Sequence, residues 1–163
     1  VGKFDVWKHA LLNCERIYKK KFDVYVDIDC TNPLLKVEDI IGTFKKFSQL
    51  QANGQKPDAV FNVSEARRNP YFNLVEEDIN GVLHMSKSIG ESPILARQQA
   101  PLVYEHVAGT YVLDAEFVKK GNHLLEGRSF GFVIPKERAF DIDSKLDFII
   151  VEFLMNRKEN VDN

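Results

Sequence analysis

The chain reads as an α/β protein with a mostly parallel sheet and a projecting hairpin, on three observations. Helical and strand periodicities alternate from Asp5 to Val63, the apolar runs are short and rich in β-branched and aromatic residues, and one Asn-Gly pair sits between two such runs. Its 163 residues, 44% hydrophobic and 11% aromatic, are enough for one domain with a core of its own.

The first element is a helix from Asp5 to Ile17, because Val6, Ala10, Leu11, Cys14 and Ile17 recur at helical spacing. Asp5 is placed to cap it, and Lys19, Lys20 and Lys21 suit the negative end of its dipole. Phe22 to Ile28 reads as a buried strand, stopped by Thr31, Asn32 and Pro33. A second helix, Val37 to Leu50, presents Val37, Ile40, Ile41, Phe44 and Phe47 on one face, and Asn53, Gly54 and Pro57 close it before a short strand, Ala59 to Val63. In a parallel sheet covered by helices, function sits beyond the carboxyl ends of the strands, where the Thr31 loop lies.

After Val63 the pattern changes. Tyr71 to Val75 and Val82 to Met85 read as short strands around Asn80 and Gly81, a pair that favours a tight primed turn. A strand from Tyr104 to Val112, a short helix from Asp114 to Lys120, a strand from Ser129 to Ile134 and a last helix from Ser144 to about Asn156 complete the order.

Bulk properties exclude several classes of function. Lys and Arg number 22 against 24 Asp and Glu, so no basic field exists to hold a phosphate backbone, and nucleic acid is not an expected partner. No amphipathic leader or long apolar run supports secretion or membrane insertion, and a cytoplasmic location is expected. Cys14 and Cys30 follow no metal spacing and read as reduced, buried packing residues. His9, His84, His106 and His123 are scattered among different elements and suggest neither a zinc triad nor a Ser-His-Asp arrangement.

Four places can carry chemistry. Asp141-Ile142-Asp143-Ser144 puts two carboxylates at alternate positions of an extended segment, which suits one divalent cation; the same residues read equally as a helix cap, since Ser144 and Asp147 have capping-box spacing. Arg97 precedes Gln98, Gln99, Ala100 and Pro101, and its planar fork can grip a carboxylate, although a solvated arginine is the ordinary case. Tyr104 and Tyr111 either face a pocket or belong to the core. Asp27 and Asp29 alternate along a strand end into Thr31 and Asn32, which either offer donors to a ligand or make a turn.

Taken in order, Asp29-Cys30-Thr31-Asn32-Pro33-Leu34, Arg97-Gln98-Gln99-Ala100-Pro101, Ala108-Gly109-Thr110-Tyr111-Val112 and Asp141-Ile142-Asp143-Ser144 with Asp147-Phe148 resemble the motifs of the CMP-sialic-acid synthetase family. The likeness runs from about Asp5 to the last helix and corresponds to the carboxy-terminal two-thirds of a full-length member. It implies a three-layer, Rossmann-like nucleotidyltransferase fold and attack by the anomeric hydroxyl of a 2-keto-3-deoxy sugar acid on the α-phosphate of CTP, with magnesium offsetting the developing charge. It implies that Asp141 and Asp143 are the catalytic metal ligands, that Arg97, Gln98, Tyr111 and Asp29 lie on the sugar side, and that Thr31 and Asn32 lie on the nucleotide side. It also implies a homodimer, with the excursion from about Tyr71 to Pro101 as the dimerisation element of a single domain.

The chain departs from the family pattern at several positions. Asp29 stands where many members have a sugar-contacting glutamine, Leu35 where an arginine is usual, and Val107 where an asparagine contacts sugar. A negative Asp29 would repel an acidic sugar unless a cation intervenes, which sets a bacterial nonulosonic acid of legionaminic or pseudaminic type beside sialic acid as the expected substrate. The family's amino-terminal loop, rich in Gly, Arg, Ser and Lys, has no counterpart here. An upstream segment is therefore expected, and the chain alone is expected to be inactive or nearly so. The alternative is a non-catalytic fragment, a sugar-binding or dimerisation module of that fold.

Overall fold

The computed structural model describes residues 2–90 and 94–159. The elements in order are α1 (Lys3–Tyr18), β1 (Val24–Ile28), α2 (Val37–Ala52), β2 (Ala59–Glu65), β3 (Val75–Glu77), β4 (Leu83–Met85), β5 (Tyr104–Asp114), α3 (Ala115–Lys120), β6 (Ser129–Val133) and α4 (Lys145–Glu159). Short 3₁₀ turns lie at Arg97–Gln99 and Lys136–Arg138. The chain forms two compact units, Val1–Val63 with His106–Asn163, and Ser64–Glu105.

The first unit is a mixed α/β layer structure on a sheet of order β1-β5-β2-β6. β2 runs parallel to β6, with Ala59 opposite Ser129 and Val63 opposite Val133. β1 runs antiparallel to β5, with Val24 opposite Asp114 and Ile28 opposite Thr110. β1 and β2, consecutive strands joined through α2, are thus not neighbours, because β5 returns into the slot between them.

Strand alternation sorts the apolar residues onto two faces. Phe61, Val63, Tyr111 and Leu113 pack with Phe4, Trp7 and Leu11 of α1 and with Ala115 and Val118 of α3. Val60 and Val112 point the other way and pack with Phe47 of α2. The result is helices, sheet, helix. Between sheet and α2 runs a buried polar chain: Asn62 donates to Thr43 Oγ1 at 2.8 Å, Thr43 donates to the Asp39 carbonyl at 2.6 Å, and Asn62 Oδ1 accepts from Thr110 N at 2.6 Å.

Helices α1 and α2 form where the periodicity places them, yet each is rotated about its axis from the expected face. α1 buries Phe4, Trp7, Leu11 and Glu15, while Val6 and Ile17 are exposed. Asp5 sits inside the first turn and Gly2 is the cap residue. α2 buries Asp39, Thr43 and Phe47, while Val37, Ile41 and Phe44 are exposed. In each helix a polar residue with a partner elsewhere takes an inward position, and apolar periodicity alone does not see it. The same rotation puts Cys14 on the exposed side of α1, and Cys30 in the loop after β1 is exposed as well, so neither is the buried packing residue expected.

The second unit contains the hairpin. β3 and β4 pair antiparallel, Val75 opposite Met85 and Glu77 opposite Leu83. Gly81 takes a positive φ of 81° and Asn80 does not, so the connection is not the doubly left-handed primed turn expected. Asp78 organises it instead: its Oδ1 accepts from Asn80 N at 2.8 Å and from Val82 N at 2.9 Å. Tyr71 to Leu74 is a turn rather than a strand, because Phe72 N, Asn73 N and Leu74 N all donate to the Asn69 carbonyl. Asn69 also accepts from Tyr71 N and donates to the Pro101 carbonyl, each at 2.9 Å, tying the two ends of the excursion.

Candidate functional site

In the first unit the candidate residues gather at the end of β1. Asp27 and Asp29 lie at alternate positions of this strand end, and Asp29 N donates to the Gly109 carbonyl at 2.9 Å, which fixes the loop against β5. Tyr111 faces the α1 side and is buried, with its ring 5.1 Å from Trp7, 6.3 Å from Phe61 and 5.6 Å from the His106 imidazole, centroid to centroid. Its phenol is pushed well above the ordinary value. Burial contributes most, followed by the charge of Asp29 and a hydrogen bond to it, then the charges of Asp27 and Asp141. Tyr111 is therefore a neutral hydrogen-bond donor at physiological pH. Asp29, Tyr111, Asp27 and Asp141 share one electrostatic neighbourhood.

Lys3, from the first turn of α1, reaches into this group. Its ammonium pairs with Asp29, lies 3.4 Å from an Asp27 oxygen, and sits 4.2 Å from the centre of the Tyr111 ring. His106 packs at a tilt against Phe61, ring centroids 4.7 Å apart, and is held below its ordinary pKa, first by burial and then by the charge of Lys3, with Asp29 pulling the other way. A cavity of about 260 Å³ opens here, lined by Lys3, Phe4, Trp7, His106, Tyr111, His123 and Leu124 among others.

The loop that carries Asp141 and Asp143 is tied to the loop that carries Thr31 and Asn32. Ile142 N donates to the Thr31 carbonyl at 2.9 Å, and Asn32 Nδ2 donates to the Arg138 carbonyl at 2.9 Å. Arg138 in turn pairs with the buried Asp39 at 2.9 Å and with Glu38, anchoring the segment on α2. Ser144 and Asp147 make the capping box: Ser144 N donates to Asp147 Oδ2 at 2.8 Å, and Ser144 Oγ accepts from Asp147 N at 3.3 Å. Asp141 and Asp143 are thereby relieved of capping α4. Asp143 is exposed, and Asp141 keeps a buried Oδ1 without a hydrogen-bond partner. Asn32 Oδ1 is likewise buried and unpartnered. A buried carboxylate oxygen with no donor is a cost that a ligand can remove. Oxygen donors suit a hard divalent cation that keeps several waters, so the donor chemistry of Asp141 and Asp143 is compatible with such an ion. Among the described residues no cluster of three or more His, Cys, Asp or Glu forms a metal cage.

Arg97 and Gln98 lie in the second unit. They line a cavity of about 320 Å³ together with Glu65, Ala66, Asn69, Ala100, Pro101, Leu102 and Val103. Arg97 Nη2 donates to the Ala66 carbonyl at 3.2 Å, which orients its guanidinium. Tyr104 is exposed rather than placed in a core. No helix among the described residues is long and apolar enough to cross a membrane. Lys3 and Arg138 carried no sequence signal beyond being basic, because their partners are 26 and 99 residues away.

No family model matches the chain. It is 36% identical over 157 residues to post-translational flagellin modification protein B of Campylobacter coli, and 36% identical over 157 residues to CMP-N,N'-diacetyllegionaminic acid synthase of Campylobacter jejuni. Each match covers 96% of this chain and 63% of the relative, so the chain spans less than two-thirds of the relatives' length. The structure of CMP:2-keto-3-deoxy-manno-octonic acid synthetase complexed with CTP superposes with a TM-score of 0.50 at 14% identity, covering 93% of this chain and 68% of that one, a likeness of fold. By sequence, the chain is similar over nearly all its length to these two Campylobacter proteins.

Proposed function

We propose that the protein transfers CMP from CTP to a nonulosonic, sialic-acid-like sugar acid, releasing pyrophosphate. The relative named CMP-N,N'-diacetyllegionaminic acid synthase supports an acylated sugar acid as the acceptor, and the fold neighbour was solved with CTP. The observation that carries the reading is the Asp141 loop: its buried carboxylate oxygen has no partner, and the loop is bonded to the Thr31–Asn32 loop beside Asp29 and Tyr111.

In this reading the sugar's anomeric oxygen forms a bond to the α-phosphorus, the bond from that phosphorus to the bridging oxygen breaks, and the hydroxyl proton leaves. Asp141 and Asp143 hold magnesium, which when bound offsets charge on the phosphates. Tyr111 donates to the sugar, and Thr31 and Asn32 present donors to the nucleotide. Arg97 and Gln98, in the cavity of the second unit, supply substrate-binding groups, the guanidinium able to grip a carboxylate in a planar fork. Catalysis is then mainly positioning and charge stabilisation. The second unit, Ser64–Glu105, contains the element through which a homodimer forms.

The test uses the protein expressed from its complete reading frame. Pyrophosphate release is expected only when CTP, magnesium and a nonulosonic acid are all present, and Asp143→Ala is expected to lower kcat about hundredfold or more. Absence of turnover across a panel of acylated nonulosonic acids rejects the assignment.

A further inference from the structure

Asp27 and Asp29 place two acceptor-only groups in the proposed sugar site, beside a substrate that brings a carboxylate of its own. Such repulsion grows where water is thinned, as it is around the buried Tyr111 ring. Lys3 answers it. Its ammonium contacts both carboxylates and the Tyr111 ring at once, and both Lys3 and Tyr111 line the adjoining cavity. The side chains of Lys3, Asp27 and Asp29 are 39%, 27% and 24% exposed, so the group is packed on one side and open on the other.

Helix stability does not account for Lys3. It is the first residue of α1, where the helix dipole favours an anion and disfavours an ammonium. An ordinary surface ion pair would not account for it either, since such pairs join two mobile chains in water, whereas this cation is shared between two carboxylates and an aromatic face.

We propose that Lys3 is a positioning residue for the acidic sugar: it balances the charge of Asp27 and Asp29, so that these carboxylates accept hydrogen bonds from the sugar's hydroxyl and amide N–H groups without repelling its carboxylate. The proposal rests on the CMP-transfer reading above and supplies the cation that Asp29 requires.

The experiment is a double-mutant cycle on the protein from its complete reading frame, assayed with CTP, magnesium and a diacylated nonulosonic acid. Lys3→Met is expected to raise the KM for the sugar about tenfold, with the KM for CTP within about twofold, and Lys3→Arg to restore it to within about threefold of the wild type. The effect of Lys3→Met with Asp29→Asn is expected to be about fivefold smaller than the product of the single effects. Where Lys3→Met does not fold, Lys3→Gln replaces it in the same cycle. An unchanged sugar KM in the neutral variant, an arginine variant as impaired as the neutral one, or effects that simply multiply would each overturn the role of Lys3 while leaving CMP transfer intact. A wild type that turns over no sugar acid overturns both.

Discussion

Gly109 shows how a single position ties a motif to its surroundings. A Cβ added there would lie 2.5 Å from Asn62 Oδ1, and that oxygen is already occupied by Thr110 N in a fully buried site. The neighbouring strand cannot give way without breaking the Asn62 to Thr43 bond behind it. Gly109→Ala is therefore expected to cost about 1–3 kcal/mol, read from the midpoint of urea unfolding. The sequence marks Gly109 only as part of a motif, because the reason for it lies on another strand. Tyr111 and Asp29 were readable as candidates from their place in the pattern, and the structure puts them in one hydrogen-bonded neighbourhood. Lys3 was not readable, since nothing local to it speaks of a carboxylate beyond the first strand.

At the level of elements, the four α-helices and the four strands of the main sheet were legible in existence and order, whereas the first hairpin strand lies at Val75–Glu77 rather than from Tyr71 to Val75, and the faces of the helices were not legible. α2 is the clearest case: the apolar set Val37, Ile40, Ile41, Phe44 and Phe47 suggests one face, yet of these only Phe47 is fully buried, beside Asp39 and Thr43. Asp39 is tolerated there because its carboxylate accepts from Lys36 N at 2.9 Å and from Arg138 at 2.9 Å, and Thr43 is tolerated because Asn62 completes its bonding. Burial without these partners would be unfavourable. Two truncations separate the faces. In this chain Phe47→Ala, at a site with no exposure, is expected to cost about 3–5 kcal/mol, and the half-exposed Phe44 to change stability by about 0.5 kcal/mol or less on the same substitution. Denaturant titration of both variants checks the assignment, and equal costs would contradict it.

For the whole molecule, Glu15 is one of five carboxylates among the described residues, with Asp78, Glu116, Glu126 and Asp147, whose pKa folding lowers. It is buried in α1, pairs with Lys119 of α3 at 2.8 Å, and accepts from Lys21 at 3.1 Å. Its carboxyl is lowered from 4.5 to about 2, chiefly by the hydrogen bond with Lys119, against the opposing effect of burial. A folded pKa below the unfolded one stabilises the fold fully above the unfolded value and loses that contribution as pH falls from 4.5 towards 2. Melting temperature is expected to drop across this window, and Glu15→Gln to flatten the drop while lowering stability at neutral pH. A variant with the wild-type slope below pH 4.5 would remove Glu15 from the account. The position of Gly2 and Lys3 on the rim of the Tyr111 cavity has a practical corollary for anyone handling the protein. Amine-reactive labels would reach the Lys3 ammonium, whose side chain is 39% exposed beside that cavity, so ligand titrations call for material labelled or immobilised through other groups.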